Sequence, residues 1–307
     1  MNLKVTNREY FGILRKMVSA MTTDSWQHIP HVSYIYEPDI TAFFDEYKKI
    51  NENLDQDSKI TFNTVMLKVI TEGLKAAPQM NAHIKYNHRL IRGEITTFEN
   101  INISLTMILP NDEMMTVNLH DFHNKSLTQM ADYIRDVRRR AEQSDLNEAM
   151  FTVSYNRTLK TIKEGKLVQA ALRILGAKTG KNKVVTLKGK AKKAYHSIPE
   201  TERLADKDLQ QGTVTVSNIG SLDLGQRGAV GIFEIIPPQV SAICMAAVQE
   251  RAVVRTKQNG EKEIAVGKVL PMCIAFDHRA LDFAEVVPFT KRLDEIFANP
   301  EIIHSWL

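Results

Sequence analysis

The stretch that decides the fold lies at the end of the sequence, where residues 275–307 read AFDHRALDFAEVVPFTKRLDEIFANPEIIHSWL. The stretch begins with the end of an apolar run, which predicts a strand. The apolar residues of its later part have helical spacing and predict a helix. Between them lies the polar loop Asp277-His278-Arg279. Histidine accepts protons readily at neutral pH, so His278 is a candidate general base. Asp282, four residues on, orients this histidine or caps the final helix, and the spacing leaves both alternatives open.

The composition is that of an ordinary globular protein. The chain has 307 residues, of which 43% are hydrophobic and 25% charged, and this length suffices for one large core or two small ones. No apolar run approaches the roughly 18 to 20 residues that a membrane helix needs. The two cysteines, Cys244 and Cys273, sit in apolar runs and are predicted to be buried free thiols. A reducing compartment, the cytoplasm, is therefore expected.

Strands and helices alternate along the chain. The segments GTVTVSNIG (212–220), PPQVSAICMAAV (237–248) and VGKVLPMCIAF (266–276) are rich in β-branched residues and predict strands. The segment 251–264, with Asn-Gly inside it, predicts a hairpin. Helical patterns occur in the rest of the chain, and their alternation with strands of mixed spacing predicts an α/β or α+β fold with a mixed sheet. Residues 1–307 are predicted to form a single domain.

Positive charge is concentrated in one segment. Residues 151–210 hold 14 Lys and Arg against 5 Asp and Glu. We interpret about 146–210 as a basic insertion whose part 155–175 forms an amphipathic helix. A solvated, mobile insertion is the favoured interpretation; docking on an acidic partner or contact with an anionic membrane surface is less favoured. Nucleic-acid binding is not expected, because the lysines lack interleaved aromatic residues and a recognisable module.

Five motifs occur in the order found in one known family. The C-terminal stretch resembles the signature Asp-His-Arg, two apolar residues and Asp-Gly of the catalytic domain of the 2-oxo acid dehydrogenase acyltransferases, the E2 subunits of the chloramphenicol acetyltransferase-like superfamily. The other matches are RKMVSAMTTDSWQHIPHVSYIYEPDIT (15–41), Pro78-Gln-Met-Asn81, the Thr-Val-Ser-Asn strand at 212–220, and Pro237-Pro-Gln-Val240. The resemblance covers residues 8–145 and 208–307.

The resemblance implies a two-layer α/β sandwich and CoA-dependent acyl transfer to a thiol or a small-molecule acceptor. His278 would be the base, Ser217 the oxyanion donor, and Asp282 the carboxylate that holds the active-site loop. The supporting residues would be Asn218, Arg279 and Arg15, with Arg15 as partner of Asp282. It also implies a homotrimer, or a larger cubic assembly, with each site shared between two subunits.

The implied ligands are substrates rather than resident groups. No permanent cofactor is expected: CoA is a substrate, and a lipoyl group arrives on a separate carrier or with dehydrogenase subunits. No metal site is expected. His28 with His31 and His120 with His123 are spaced as pairs of metal ligands, but no Cys or carboxylate set completes either pair. Attraction of the CoA phosphates is a further role for the basic segment.

Two features depart from the family pattern. Phe283 stands where the family has glycine, so we expect backbone strain or a narrowed cavity. The sequence also has no lipoyl or subunit-binding domain. This second departure implies that the acyl group comes from a separate carrier or that the acceptor is a different molecule. Because of Phe283, a catalytically weak or inactive trimeric assembly protein is the alternative to an active enzyme, with the apolar tail 302–307 joining trimers.

Overall fold

The computed structural model describes residues 3–52, 54–56, 58–108, 114–163, 165–257 and 259–307. The chain divides into two compact units. The smaller comprises the chain up to Asp24 together with Val137–Gln210, and the larger comprises Ser25–Asp136 and Gln211–Leu307. Most of the basic segment thus belongs to the smaller unit. The assignment of 1–307 to a single domain with an insertion at 146–210 stays a prediction.

All the strands in the described residues lie in the larger unit. They are β1 (His31–Tyr36), β2 (Ala82–Asn87), β3 (Arg92–Thr97), β4 (Ile103–Ile108), β5 (Met114–Leu119), β6 (Val214–Asn218), β7 (Ser241–Met245), β8 (Gln249–Thr256), β9 (Lys262–Val269) and β10 (Met272–Asp277). Six of them form one sheet in the order β1-β10-β7-β6-β4-β5. The pairs β2–β3 and β8–β9 are separate antiparallel hairpins. The predicted hairpin at 251–264 is confirmed. The single strand predicted at 266–276 is wrong, because these residues are divided between the end of β9 and β10, which belong to different sheets.

The six-stranded sheet is mixed, as predicted. Strand β6 runs parallel to both β4 and β7, whereas β10 runs antiparallel to both β1 and β7. Every residue of β7 and β10 is buried, which explains why these strands are continuous apolar runs in the sequence. The α/β fold class with a mixed sheet is thus confirmed.

The helices are α1 (Ile13–His28), α2 (Thr41–Ile50), α3 (Phe62–Ala76), α4 (Leu127–Glu142), α5 (Leu146–Lys163), α6 (Leu167–Lys178), α7 (Gly189–Ser197), α8 (Asp206–Leu209) and α9 (Phe283–Ala298). Helix α3 begins where the Thr61 hydroxyl accepts the Thr64 N–H. Helix α9 packs closely on it, because a Cβ at Gly73 would lie 2.6 Å from Leu293 and 2.7 Å from Phe289. Among the described residues, no helix combines the length and apolar character that crossing a bilayer requires.

A buried carboxylate organises the smaller unit. Glu148 of α5 is 1% exposed and accepts hydrogen bonds from Lys192 (2.8 Å) and His196 (3.1 Å), both on α7. The Leu187 N–H donates to it as well, at 3.2 Å. Burial alone raises the pKa of Glu148, but these hydrogen bonds outweigh it and hold the pKa below its usual value. The basic segment is therefore helical and tied down at this point.

The single amphipathic helix predicted over 155–175 is wrong. Helix α5 ends at Lys163, and Gly165 adopts a left-handed backbone with φ 77° before α6 begins at Leu167. Glycine takes this conformation without the steric penalty that other residues meet, so the chain turns here. The apolar spacing in 155–175 continues across the turn, which is why the pattern alone suggested one helix.

We predict that Gly212→Ala destabilises the protein. Gly212 lies just before β6, and an added Cβ would overlap the carbonyl of Asn102 and lie 2.8 Å from the Asn118 side chain. The free energy of unfolding should fall by about 1–3 kcal/mol, since backbone has to move. The measurement is denaturant unfolding.

Gly176→Ala is the matched control. Gly176 is inside α6, and a Cβ there would meet nothing within 4 Å. This change should raise the free energy of unfolding by up to about 1 kcal/mol, because alanine favours the helix. Equal losses in both variants would contradict the close approach at Gly212.

Candidate active site

The loop after β10 is held by an ion pair. Asp277, the last residue of β10, is fully buried, and Arg279 binds its carboxylate through Nε (3.0 and 3.1 Å) and Nη2 (2.6 Å). The backbone N–H of Arg279 donates to the same carboxylate at 3.0 Å. The guanidinium also lies over the ring of Tyr86, 5.5 Å from its centroid. A buried carboxylate requires such partners, so the pair fixes the loop around His278.

His278 is anchored through its backbone and oriented through one ring nitrogen. Its N–H donates to the carbonyl of Pro30 at 3.1 Å. Its Nδ1 lies 3.2 Å from the Leu281 carbonyl and 3.2 Å from the Asp282 carboxylate, while half of the side chain is exposed. Two acceptors beside Nδ1 favour the tautomer with the proton on that atom. The lone pair of Nε2 is then the one that accepts a proton.

Asp282 lies at the start of α9 and beside His278, which are the two positions that its alternative roles as helix cap and partner of the histidine require. It is the N-cap residue of α9, and its own N–H donates to the Glu285 side chain at 2.8 Å. Its carboxylate also contacts His278, although the side chain is 77% exposed. An exposed pair of this kind adds little free energy, so the contact orients the imidazole rather than stabilising the fold.

Ser217 and Asn218 end strand β6 inside the sheet. Ser217 is 7% exposed and lies opposite Cys244 on β7. The Asn218 side chain accepts the Ser221 N–H at 3.2 Å and donates to the Asn63 side chain at 3.0 Å. Asn63, at the start of α3, was missed by sequence reasoning, because an asparagine in the first turn of a helix carries no functional signal.

Strand register places Ser217 far from His278 within one subunit. Ser217 is level with Cys244, and Cys244 with Cys273 of β10. His278 is five residues beyond Cys273, which puts it on the order of 16 Å farther along the direction of the strand. In addition, β10 is two strands away from β6, about 10 Å across the sheet. One copy of the chain does not bring the two residues together. A site that uses both needs a second copy.

The two cysteines face each other across β7 and β10 as free, buried thiols, as predicted. Burial raises the pKa of the Cys244 thiol to about 12, and the neighbouring Cys273 adds to the effect. Burial raises the pKa of Cys273 as well. Both thiols are therefore protonated near neutral pH and are poor nucleophiles, although Cys244 lies beside Ser217.

The expected strain at Phe283 is wrong. Phe283 is the first residue of α9, and the described non-glycine residues with positive φ are Ile91 and Asp121. The loop passes directly from the cap into a helix, so no left-handed residue is required at this point. The Phe283 ring packs edge-on against Tyr34, with 5.1 Å between centroids. It forms an aromatic wall near the base with Phe276, whose ring is 6.0 Å from that of His278.

The role assigned to Arg15 stays a prediction. Arg15 is exposed on α1, in the part of that helix belonging to the smaller unit, whereas Asp282 belongs to the larger unit. The partner that the structure gives Asp282 is His278. Within the described part of the chain, no group of three or more His, Cys, Asp or Glu side chains is arranged to hold a metal ion.

Most of the chain matches one known family. Residues 4–156 and 179–305 match the family described as 2-oxoacid dehydrogenases acyltransferase (catalytic domain). Residues 157–178, which hold the end of α5 and all of α6, lie outside the match. This segment is narrower than the insertion predicted at 146–210.

Similar proteins cover nearly the whole chain. The dihydrolipoyllysine-residue acetyltransferase component of the mitochondrial pyruvate dehydrogenase complex of Saccharomyces cerevisiae is 21% identical over 94% of this chain and 45% of the relative. The corresponding component from Staphylococcus aureus is 22% identical, over 96% of this chain and 52% of the relative. The chain thus spans about half the length of these curated relatives.

Solved structures share the fold. A probable dihydrolipoamide acetyltransferase from Listeria monocytogenes, 20% identical, covers 97% of this chain and 96% of its own, with a TM-score of 0.63. The cubic core of a pyruvate dehydrogenase multienzyme complex, 17% identical, covers 98% and 94%, with a TM-score of 0.65. Because the family match extends over most of its length, the chain belongs to the 2-oxoacid dehydrogenase acyltransferase (catalytic domain) family.

Proposed function

We propose that this protein transfers an acyl group between CoA and a thiol of the dihydrolipoamide type, with His278 as general base. The observation that carries the proposal is the loop around His278. Nδ1 faces two acceptors, and the buried Asp277–Arg279 pair holds the backbone on both sides of the ring. Proton transfer requires this kind of fixed, correctly protonated imidazole.

The proposed reaction exchanges one thioester for another. Nε2 of His278 takes the proton from the thiol of CoA, and the thiolate attacks the carbonyl carbon of the acyl-dihydrolipoamide thioester. The Ser217 hydroxyl donates a hydrogen bond to the oxyanion that forms. When the intermediate collapses, the carbon–sulfur bond to dihydrolipoamide breaks, and the departing thiolate takes the proton from the imidazolium. Acyl-CoA and dihydrolipoamide are the products.

We propose that the serine and the histidine of one site come from two copies of the chain. The register of β6, β7 and β10 separates them within one subunit, which supports a shared site. A head-to-tail contact between copies that closes into a ring of three forms three equivalent sites. A homotrimer is therefore the proposed unit, and a larger cubic assembly is the proposed higher state, since a similar structure is a cubic core.

The proposed donor of the acyl group is a lipoyl group on a separate carrier, within a complex that includes dehydrogenase subunits. The names of the curated relatives, which specify a dihydrolipoyllysine residue, support this donor. Small-molecule acceptors remain the alternative. Two free, buried thiols support a reducing compartment, and we propose the cytoplasm.

The alternative function, an inactive assembly protein, has less support. The relaxed backbone at Phe283 removes one reason for inactivity. In this alternative the apolar tail 302–307 would join trimers. Two of its large side chains are already packed within the chain, because Ile303 is fully buried and Trp306 is 8% exposed. The His304 imidazole contacts Glu46 of α2 at 2.6 Å, which ties the tail to its own subunit.

We predict that two inactive variants restore each other. His278→Ala should lower turnover about 10²–10⁴-fold by removing the base. Ser217→Ala should lower it about 10²–10³-fold by removing the oxyanion donor. Oligomers reassembled from equal amounts of the two should regain about one quarter of the wild-type activity, because random assortment leaves that share of heterologous contacts intact. The assay follows CoA release from acetyl-CoA with free dihydrolipoamide.

The control for this mixture is a chain that carries both substitutions, mixed with each single variant. These mixtures contain no intact contact and should stay inactive. If the two single variants together are no more active than either alone, the residues do not share a site between subunits.

We predict that Arg279→Gln lowers kcat more than it changes the KM for CoA. Arg279 acts as a positioning residue, since it binds the Asp277 carboxylate rather than a substrate. Without it, a buried carboxylate is left unpaired, and the free energy of unfolding should fall by about 2–4 kcal/mol. Arg279→Lys should recover part of kcat.

The matched control is Arg292→Gln. Arg292 pairs with Glu295 on the surface of α9, where the two side chains are 30% and 63% exposed. Its loss should change the free energy of unfolding by less than about 1 kcal/mol and leave kcat as it is. A rise in the KM for CoA as the sole effect of Arg279→Gln would mean direct substrate binding instead of positioning.

We predict that Phe283→Ala remains active and accepts bulkier acyl groups. The ring occupies space beside Tyr34 and Phe276, and removing it opens the aromatic wall near His278. The measurement is kcat/KM with acetyl-CoA and with a longer acyl-CoA, whose ratio should shift toward the longer donor. If wild type and variant both lack activity while trimers form, the assembly protein is the correct interpretation.

A further inference from the structure

Helix α6 presents its large apolar side chains away from its own unit. The side chains of Leu167, Val168, Leu172 and Leu175 are 63%, 75%, 63% and 57% exposed. Val168, Leu172 and Leu175 are spaced four and three apart and so lie on one face of the helix, and Leu167 lies beside this face in the first turn. We call these four residues the α6 face.

The opposite side of α6 makes the contacts with its own unit. Ala170, on that side, is 2% exposed. Arg173, also on that side, donates to the hydroxyl of Thr161 on α5 at 3.1 Å. The helix is thus anchored through small and polar residues, while its aliphatic side chains face outward. Burial in the subunit does not explain the α6 face, and contiguous exposed apolar surface of this kind marks an interaction site.

The chain around the α6 face carries positive charge only. Residues 165–199 contain nine Lys and Arg and no Asp or Glu. The Val184 N–H donates to the Ala177 carbonyl at 2.9 Å, which brings the loop 179–188 beside the last turn of α6. Val185 of that loop is 76% exposed, and Lys183 is exposed as well. Exposed apolar side chains and an exposed lysine therefore occur in the same part of the smaller unit, in α6 and in the loop beside its last turn.

We propose that the α6 face docks on a membrane surface that contains anionic phospholipid, with the aliphatic side chains among the acyl chains and the surrounding lysines on the headgroup phosphates. A bilayer supplies an apolar layer beneath a negative one, which matches this pairing of leucines and lysines. This contact lies on the surface of the membrane and does not span it.

Two other occupants fit the surface less well. A second copy placed face to face would bring like charges together. Residues 157–178 also lie outside the family match, so a contact here would not be one that the family has in common. A specific protein partner is typically bound through aromatic residues and directed hydrogen bonds, whereas the α6 face consists of leucine and valine alone.

The test is co-sedimentation of the full chain with vesicles of phosphatidylcholine, with and without about 30% phosphatidylserine. Binding should be at least about tenfold tighter to the anionic vesicles at low salt and should weaken as salt is raised. The double variant Leu172→Gln, Leu175→Gln should bind them at least about tenfold more weakly, because two aliphatic side chains are lost from the contact.

The matched control is Ile264→Gln, Val266→Gln, which changes two aliphatic side chains of β9 that are 80% and 71% exposed. It should bind like the wild type. Equal binding by all three proteins, or no preference for anionic vesicles, would overturn the proposal.

Two further results would also overturn it. If the α6 variant fails to form an oligomer that the wild type forms in sedimentation velocity without vesicles, the face is a contact between copies. If the wild type binds polyglutamate but not anionic vesicles, and the α6 variant loses that binding, the partner is an acidic polypeptide.

Discussion

The pairing of β10 with β1 and β7 is the constraint on which the site depends. It puts Asp277 at the buried end of a central strand and His278 at the first position beyond it. The same register leaves Ser217 level with Cys273, far along the strand from the histidine. Because strand pairing fixes these positions, movement of a side chain cannot join the two groups. Assembly of copies is the remaining way to place both beside one substrate.

The buried ion pair at Asp277 supports the loop that carries the exposed candidate base, His278. The His278 ring is half exposed, as a group that meets substrates has to be. Its backbone neighbours are held by Arg279 bound to a fully buried carboxylate, and Leu281 and Asp282 face Nδ1. Reaction rates depend on the orientation of such a group. Rigid support beneath an accessible ring meets both requirements.

The two compact units carry different physical properties. The larger unit holds the sheet and the candidate catalytic residues, and its central strands β7 and β10 are buried and apolar. The smaller unit holds the basic helices, organised by the buried carboxylate of Glu148. Its α6 face lies in the segment outside the family match. The candidate catalytic residues and the α6 face therefore lie in separate parts of the sequence.

Local patterns in the sequence determined the strands β6 and β7 and the hairpin β8–β9, because these depend on residue spacing and turns within a few positions. Motif order also pointed to His278, Asp282 and Ser217 as the candidate site. Only the tertiary structure decided the rest. In the structure the Asp282 carboxylate contacts the imidazole of His278, and Phe283 has no strained backbone. The segment 155–175 is divided at Gly165, and Ser217 lies far from His278. The physical reason is that such contacts arise from strand pairing and packing between distant segments, which spacing along the chain does not encode.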